Sequence, residues 1–503
     1  MVRPPDAGDR VAAAGVSQPT KPGDGRPRAF FIMSDPKPFV GVVGASARAA
    51  VHSLYRAGYG AWAVDLFTDR DLFATSARCP LDEYPWGLPP LADQFFPGPV
   101  LYTGGLENHP DVVAELAARR PLWGNPPAVL EVVRDPFFPG RVWPKDDDLV
   151  RCPRVLPGDA VPADGIWLVK PRRCAGGYGI RQFHPANAVP DPDAHYLQEY
   201  VTGEPMSAVC VARAGEVQVL GVAEQLNNVG WLHVGFFRYG GNVGPVELPA
   251  ATADTFTRFV AALAWAGGLV GLFGVDFILD ADDVAWPVEL NPRYTGSVEV
   301  LEHATGRAVM LDHAAAFGAG GTGRRSACDP TLADEVPGKV GASSPPFPPR
   351  EGGPGGLGGS ARRSPGTDAD VVNPSPGPSP KGGGVPAQQS LPTPVSPQPG
   401  VAPVVGGSGL SALRRNPRHR VVGKAVYYAP FPIRFPAAGP WDDWDRPFDP
   451  WNLPAFADIP AAGCSIGTGD PVFTLFEAGS SPDAVRDRLQ SRAMELDWLF
   501  VQE

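Results

Sequence analysis

Residues 273–299 have the sequence FGVDFILDADDVAWPVELNPRYTGSVE, in which two largely apolar segments flank an acidic DADD centre. Two such segments around a turn predict a β-hairpin. Symmetric folding about the turn places Asp276 opposite Glu289, and the two-residue period of a strand puts Asn291 on the same face. The other face is then the core side, with Val275, Phe277 and Leu279 against Leu290, Val288 and Trp286.

The polar face of this hairpin predicts a metal site. Two facing carboxylates about 5 Å apart repel each other unless a cation neutralises them. Asp276, Glu289 and Asn291 provide the oxygen ligands that Mg²⁺ takes together with substrate phosphates, and Mn²⁺ is the alternative ion. Arg293 lies just beyond them and suits a transferring phosphoryl group or an acyl phosphate. The competing interpretation, a solvated acidic face, is disfavoured by the apolar residues around these groups.

A second motif, at residues 166–183, reads as strand (IWLVKP), glycine-rich loop (RRCAGGYGI) and strand (RQF). Walker loops and dinucleotide fingerprints place a helix after the glycines, so this order points away from both. Glycines let backbone N–H groups approach phosphates, and Lys170 adds a positive charge. A plain hairpin turn is the alternative, which Arg172 and Arg173 make less attractive. The predicted phosphate loop contains Gly176, Gly177 and Gly179.

The segment FVGVVGAS at residues 39–46 predicts a buried strand, followed by a helix that ends at Gly58 and by a second strand, AWAVDLF. This is a β-α-β unit that opens a parallel sheet. Asp65 ends its second strand, where open α/β sheets present ligand-binding groups. Gly44 and Ser46 could bind phosphate or substrate, although a glycine here is also the simplest way to make the turn.

The length of 503 residues exceeds what one hydrophobic core supports, and 60 Gly with 61 Pro indicate unstructured segments. The predicted fold class is α/β and α+β. The predicted parts are a disordered leader (1–37), an α/β domain (38–125), a two-lobed central domain (126–319), a Pro/Gly-rich linker (320–416) and a small β-rich C-terminal domain (417–503).

The composition argues against several classes of protein. A net charge of −11 and a pI near 5.3 disfavour a general nucleic-acid binder. The six cysteines form no C-x-x-C pair, so neither a zinc site nor a disulfide framework is indicated. No apolar run approaches the roughly 20 residues of a membrane span, and no signal peptide is apparent. We expect a soluble cytoplasmic protein whose oligomeric state stays open.

Together these motifs resemble the ATP-grasp superfamily, and within it the carboxylate-amine ligases related to biotin carboxylase and D-alanine–D-alanine ligase. The resemblance covers residues 39–312. WLVKPRRCAGGYGI resembles the superfamily's second lysine and glycine loop, YLQEYVTGEPMS its adenine hinge, and FGVDFIL with WPVELNPRYTGSVE its metal strand pair. The first part of the chain then corresponds to the Rossmann-like domain that precedes the ATP-grasp domain.

The resemblance implies roles for individual residues. Lys170 would contact the α- and β-phosphates of ATP, and Arg293 would be the catalytic arginine. Asp276, Glu289 and Asn291 match the metal ligands. Adenine and ribose would be received by Gln198, Glu199, Tyr200, Val201 and Glu204.

One element departs from the superfamily pattern. Its first nucleotide-binding lysine normally precedes the central domain near a helix, whereas this chain reads VRDPFFPGRVWPKDDDLVRC at residues 133–152, with prolines that interrupt a helix. Arg134 or Lys145 could substitute for that lysine. The C-terminal unit resembles the end domain of biotin-carboxylase-like ligases but has no Met-Lys-Met, so a structural role is expected there.

The predicted function is ATP- and Mg²⁺-dependent phosphorylation of a small-molecule carboxylate to an acyl phosphate, which an amine captures to give an amide. The resemblance suggests cofactor biosynthesis as its setting. Two alternatives stay open: a biotin-independent carboxylase-like enzyme, and a nucleotide-binding protein with weak or lost catalysis. A dinucleotide oxidoreductase built on the turn at Gly44 would leave the 273–299 hairpin unexplained.

Overall fold

The structure is a computed structural model that describes residues 38–318 and 420–501, apart from residues 188, 190, 214 and 443–446. The described residues belong to one compact unit. The predicted leader (1–37) and the predicted linker (320–416) lie outside them. Five cysteines lie inside, and all five are free thiols. In this described part, no helix combines the length and apolar character needed to cross a membrane.

The first part of the chain is a parallel sheet with helical connections. Its elements are β1 (Phe39–Val43), α1 (Arg48–Arg56), β2 (Gly60–Asp65), β3 (Thr75–Arg78), α2 (Leu88–Ala92), β4 (Val100–Tyr102), a 3₁₀ turn (Leu106–Asn108) and α3 (Pro110–Arg119). The strand order is β3-β2-β1-β4, with every pairing parallel. The continuous apolar sequences of β1 and β2 are typical of strands buried on both faces. The predicted β-α-β unit is confirmed.

Two short helices, α4 (Pro127–Val133) and α5 (Phe138–Val142), connect this sheet to the next part. The break between them falls at Arg134–Phe137, where Pro136 removes a backbone donor and restricts Asp135. The interruption of this helix that the prolines predict is therefore present.

A small antiparallel sheet follows. It consists of β5 (Val155–Pro157), β6 (Trp167–Pro171), β7 (Arg181–Gln182) and β8 (His195–Glu199), in the order β5-β8-β6-β7. The glycine-rich loop connects β6 to β7. The predicted order of strand, glycine loop and strand is confirmed.

A large antiparallel sheet begins after β8. Its first part contains β9 (Glu204–Arg213), β10 (Glu216–Asn227), a 3₁₀ turn (Gly230–Leu232), β11 (Tyr239–Val246), α6 (Ala250–Gly267), β12 (Gly271–Leu279), β13 (Ala285–Asn291), α7 (Gly296–Thr305) and α8 (Val309–Ala316). Helix α6 packs Phe256 and Phe259 into a core that also contains Phe273 and Phe277 of β12. Burial of this aromatic cluster fixes the β12–β13 hairpin against the body of the domain.

The C-terminal segment extends the same large sheet. Its elements are β14 (Val421–Tyr428), β15 (Ile433–Arg434), β16 (Phe456–Ala457), β17 (Ser465–Ile466), β18 (Pro471–Gly479) and α9 (Pro482–Val501). The complete sheet has the order β13-β12-β9-β10-β11-β14-β18-β16, while β15 and β17 pair separately. The β-rich C-terminal region is confirmed, but it shares a sheet with the central domain because β14 pairs with β11.

The 273–299 hairpin pairs as predicted at its polar end and differs near its turn. Asp276 lies opposite Glu289, but the next pair is Phe277 with Pro287, so Val288 has no partner on β12. Pro287 cannot donate to the ladder, and a bulge accommodates that loss. The extra residue reverses the faces beyond it: Ala285 is buried in the core, whereas Trp286 and Val288 line a cavity. Their assignment to the core side was wrong.

A buried cluster of charges joins α1, α7 and the C-terminal segment. Arg48 donates to both carboxylate oxygens of Glu299, at 2.8 and 3.0 Å, and to Asp458 at 2.6 Å. Lys424 donates to Glu299 at 3.0 Å. We call these four residues the ionic joint. Arg48 and Glu299 are completely buried, so the joint holds together three segments that are far apart in sequence.

Candidate functional site

A cavity of about 1110 Å³ opens where the small sheet meets β13. Its walls come from β5, β6 and β8 on one side, from the bulged β13 on another, and from the α4–α5 segment. Four residues of the predicted nucleotide and metal sets line it: Lys170, Gln198, Glu199 and Glu289. The volume is slightly above the range of about 300–1,000 Å³ that is usual for small-molecule and cofactor sites.

Lys170 reaches from the end of β6 to the bulge in β13. Its ammonium group donates to Oε1 of Gln198 at 3.0 Å and to the carbonyl of Val288 at 3.3 Å. The amide of Gln198 donates to the same carbonyl at 3.3 Å. The Val288 carbonyl is therefore the point where the small sheet is fixed to β13. Sequence reasoning missed it because symmetric folding of the hairpin was assumed.

The predicted metal ligands lie together. Asp276 and Glu289 are directly opposed in the β12–β13 ladder. The amide of Asn291 donates to Asp276 at 3.0 Å, and Arg134 donates to Glu289 at 3.0 Å. Two carboxylates and one amide oxygen thus face one side of the hairpin. Among the described residues, no cluster of three or more His, Cys, Asp or Glu side chains is arranged for a metal ion.

The pKa values of the two carboxylates are shifted in opposite directions. Burial and the facing charge of Glu289 raise the pKa of Asp276 to about 6. Burial would also raise the pKa of Glu289, but the positive charges of Arg134 and Lys170 outweigh it and lower that pKa. In the described part of the chain, Glu289 therefore forms an ion pair with Arg134, whereas Asp276 is bonded by the neutral amide of Asn291 and forms no ion pair.

Arg293 lies at the end of this chain of contacts. It donates to Oδ1 of Asn291 at 3.1 Å and to Oε1 of Glu107 at 2.7 Å. Glu107 comes from the 3₁₀ turn after β4 and is only 2% exposed. The N-terminal sheet therefore contributes directly to the site.

The glycine loop has the backbone that its sequence predicts. Gly176, Gly177 and Gly179 all have φ between +60° and +78°, a region that disfavours other residues. A Cβ on Gly177 would lie 1.8 Å from the carbonyl oxygen of Phe237, so this position accepts only glycine. The carbonyl of Gly176 accepts a hydrogen bond from the Tyr239 N–H at 3.1 Å. The loop is anchored to the start of β11.

The residues of the predicted adenine hinge differ in their position relative to the cavity. Glu199 lines the cavity, and its carboxylate accepts from the Arg154 guanidinium at 2.8 Å. Tyr200 is 40% exposed, and its N–H already donates to Ile166 at 2.8 Å. Val201 and the exposed Glu204 continue the chain past the residues that form the cavity wall.

The structure distinguishes the two candidates for the missing first lysine. Both Arg134 and Lys145 line the cavity. Arg134 follows α4 directly, and besides Glu289 it contacts Asn108 at 3.0 Å. Arg134 therefore places a guanidinium group beside the carboxylate pair. Asn108 and Glu107, which belong to the sequence LENHP after β4, were missed although they lie at the carboxyl end of a parallel strand.

The turn after β1 has a structural explanation. A Cβ on Gly44 would lie 2.1 Å from Oγ1 of Thr103, and that hydroxyl donates to the Ser46 carbonyl at 2.8 Å. Asp65 is completely buried and accepts from the N–H groups of Ala47 and Thr68. Close packing and turn formation thus account for these residues without a ligand.

Residues 146–297 match the family model of the ATP-grasp domain. This segment is an ATP-grasp domain. It contains the predicted phosphate-loop, hinge and metal-hairpin residues, from Lys170 to Arg293. Glu107, Asn108 and Arg134 lie outside the matched segment and reach the site from the preceding part of the chain.

Curated relatives of the ATP-grasp domain are similar over part of their length. The chain is 29% identical over 155 residues to the carbamoyl phosphate synthase large chain of Neisseria gonorrhoeae, covering 28% of this chain and 14% of that one. It is 34% identical over 98 residues to the same protein of Xylella fastidiosa, covering 19% and 9%. The chain therefore spans about a seventh or less of these relatives.

A similar solved structure is the L-amino acid ligase from Bacillus licheniformis. It is 19% identical, with a TM-score of 0.44, and the match covers 56% of this chain and 75% of that chain.

Proposed function

We propose that the chain is an ATP-dependent carboxylate-amine ligase. ATP phosphorylates a substrate carboxylate to an acyl phosphate, and an amine then displaces phosphate to give an amide. The observation that carries this proposal is the opposed pair Asp276 and Glu289, which lies beside a cavity bordered by Lys170 in an ATP-grasp domain. Phosphoryl transfer of this kind needs positioning and charge stabilisation, and no nucleophilic side chain.

The nucleotide is assigned to the cavity. Lys170 is 5% exposed and presents an ammonium group there, a charge suited to the α- and β-phosphates. The N–H groups of Gly176, Gly177 and Gly179 would cover the phosphates. Gln198, Glu199 and the backbone of Tyr200 and Val201 would receive adenine, and Glu204 ribose. Because the Tyr200 N–H is already bonded, only the carbonyl of that residue is available to the base.

Asp276, Glu289 and Asn291 are proposed to hold Mg²⁺, or Mn²⁺ in its place. The fit rests on the oxygen donors of these three residues and on the position of Asp276, which is buried opposite the carboxylate of Glu289. A bound divalent ion would neutralise charge on the phosphates. Arg134, whose guanidinium contacts Glu289, is proposed as the counterpart of the missing first lysine.

Arg293 is proposed to stabilise the negative charge of the phosphoryl group and of the acyl phosphate. Its guanidinium is held between Asn291, a proposed metal ligand, and Glu107. This position next to the metal ligands is the one expected for an electrostatic stabiliser, which acts where charge develops.

Hydroxylamine trapping tests this function. The protein would be incubated with ATP, Mg²⁺, hydroxylamine and a panel of amino acids and other carboxylates, and ADP and hydroxamate would be measured. One carboxylate should give hydroxamate and ADP in equal amounts. Asp276→Asn should abolish both products, whereas Asp282→Asn at the exposed hairpin turn should not. ADP release with bicarbonate alone would instead favour the carboxylase-like alternative.

A second candidate is a nucleotide-binding protein without catalysis. The observation that favours it is the break between α4 and α5, the segment from which Arg134 is proposed to replace the first lysine of the superfamily. In that case ATP binds, yet no carboxylate in the panel yields hydroxamate. The same experiment therefore separates the two candidates.

A further inference from the structure

The 3₁₀ turn Leu106–Asn108 is a short polar element buried between the N-terminal sheet and the ATP-grasp domain. It follows β4 at the carboxyl end of the parallel sheet. Glu107 is 2% exposed and Asn108 8% exposed. Buried polar side chains are expensive unless they are bonded, so the partners of these two residues indicate what the turn is for.

Glu107 fixes the proposed catalytic arginine. Its Oε1 accepts from Nε of Arg293 at 2.7 Å, while Oδ1 of Asn291 accepts from Nη2 of the same guanidinium at 3.1 Å. A further bond runs from Arg293 to the carbonyl of Tyr294 at 3.0 Å. A planar guanidinium held on several sides keeps one orientation, which is what electrostatic preorganisation requires.

Asn108 performs two tasks with its two amide atoms. Its Nδ2 donates to the carbonyl of Cys174 in the glycine loop at 3.0 Å. Its Oδ1 accepts from Arg134 at 3.0 Å, and Arg134 in turn donates to Glu289. Arg134 also donates to the Cys174 carbonyl, at 3.4 Å, so the shorter bond from Asn108 reinforces the connection between the glycine loop and this cation. Only a side chain with a donor and an acceptor can make both contacts.

We propose that the turn Leu106–Asn108 is the positioning element of the site, in which Glu107 orients Arg293 and Asn108 couples the glycine loop to Arg134. This inference rests on the proposed function for the roles of Arg293 and Arg134. The contact between Asn108 and the loop does not depend on those roles. The N-terminal sheet is therefore a working part of the nucleotide site.

The loop contact is tested by trypsin cleavage in the absence of nucleotide. The exposed Arg173 lies in the glycine loop beside Cys174, so its cleavage reports loop opening. Asn108→Asp keeps the shape and the contact with Arg134 but replaces the donor to Cys174 with an acceptor. Asn108→Ala loses both contacts. Each variant should be cleaved at Arg173 roughly threefold to tenfold faster than the wild type, since both lose the buried hydrogen bond from Asn108 to the Cys174 carbonyl.

Glu115→Gln, on the exposed side of α3, is the matched control and should be cleaved at the wild-type rate. Equal cleavage of Asn108→Asp and the wild type would overturn the coupling of the loop by Asn108. This readout needs no ATP, so it stands apart from the outcome of the hydroxylamine experiment.

The orienting role of Glu107 is tested with Glu107→Gln in the hydroxylamine assay, with Glu107→Asp as the conservative variant. We expect Glu107→Gln to lower kcat about tenfold or more with the KM for ATP unchanged, and Glu107→Asp to recover part of the loss. A merely structural role would lower the melting temperature and leave kcat per folded molecule unchanged, which would overturn the assignment. If the wild type itself forms no hydroxamate, the proposed function fails, and the role assigned to Glu107 fails with it.

Discussion

Two carboxylates on neighbouring parts of the chain, Glu299 at the start of α7 and Asp276 on β12, have opposite surroundings. Glu299 receives Arg48 and Lys424 within 3.0 Å. Burial would raise its pKa, but those two cations lower it well below its usual range. Asp276 instead faces another carboxylate, and burial together with Glu289 raises its pKa to about 6.

The different surroundings indicate different roles: Glu299 holds the fold together, whereas Asp276 is proposed to bind a cation. In the ionic joint each charge finds its counter-charge within the protein, so the cluster can hold α1, α7 and β14 together. At the β12–β13 hairpin Asp276 and Glu289 face each other. Within the described residues, Asp276 forms no ion pair. A folded chain accepts such an unfavourable arrangement where an external cation completes it. The comparison therefore favours Asp276 over Glu299 as the proposed place of cation binding.

The largest expected effect comes from breaking the joint with Arg48→Met. The substitution removes a cation that is 0% exposed and leaves Glu299 and Asp458 short of a partner. We expect the free energy of unfolding to fall by about 3–5 kcal/mol, as for other buried pairs that lose one member. Urea unfolding of the full chain measures this. Arg119→Met, at an exposed pair, should change little, and an equally small effect for Arg48→Met would contradict the account.

A substitution at Asp276 should change the free energy of unfolding by a smaller amount and in the opposite direction, so that it stabilises the protein. Because the folded pKa of Asp276 lies above its ordinary value, the folded state loses stability relative to the unfolded state as pH rises from about 4 through about 6. Without divalent ions, Asp276→Asn should therefore be more stable than the wild type at pH 8, by on the order of 1–2 kcal/mol. At pH 4.5 the two should be nearly equal. Lower stability of the variant at pH 8 would show that Asp276 is already compensated.

The smallest expected effect is a shift in melting temperature when divalent ions are added to an Arg134 variant. The guanidinium group of Arg134 donates to Glu289. Arg134→Gln removes the cation that contacts Glu289, so Mg²⁺ or Mn²⁺ alone should bind there and raise the melting temperature by about 2 °C at millimolar concentration. The wild type should respond less. Arg141→Gln, at a more exposed arginine of the same cavity, is the matched control. A response of the control equal to that of Arg134→Gln would point to general salt effects.

The sequence was sufficient for features that depend on local pattern. Alternation around the DADD centre predicted the pairing of Asp276 with Glu289, and three glycines between two strands predicted the β6–β7 loop. The bulge at Val288 was not predicted, because symmetric folding was assumed and the effect of Pro287 on register was not considered. That error moved Trp286 and Val288 from the core to the cavity.

The remaining features depend on contacts between distant segments. Arg48 and Asp458 are separated by 410 positions, and no periodicity links them. Glu107 and Asn108 sit in an irregular turn whose partners, Arg293 and Cys174, belong to other parts of the fold. The rule that parallel sheets bind ligands at their carboxyl ends singled out Asp65, where the structure shows turn formation. The same rule applied after β4 would have found the turn at residues 106–108.

The most direct test of the account is isothermal titration of ATP, with and without Mg²⁺, into the wild type and Glu289→Gln. The account predicts that Mg²⁺ strengthens ATP binding to the wild type and that the variant loses this gain, because one of the two facing carboxylates is gone. Binding by the variant without Mg²⁺ should persist, since Lys170 and Arg134 remain. Failure of a folded wild type to bind ATP, or an unchanged Mg²⁺ effect in the variant, would contradict the assignment of the site.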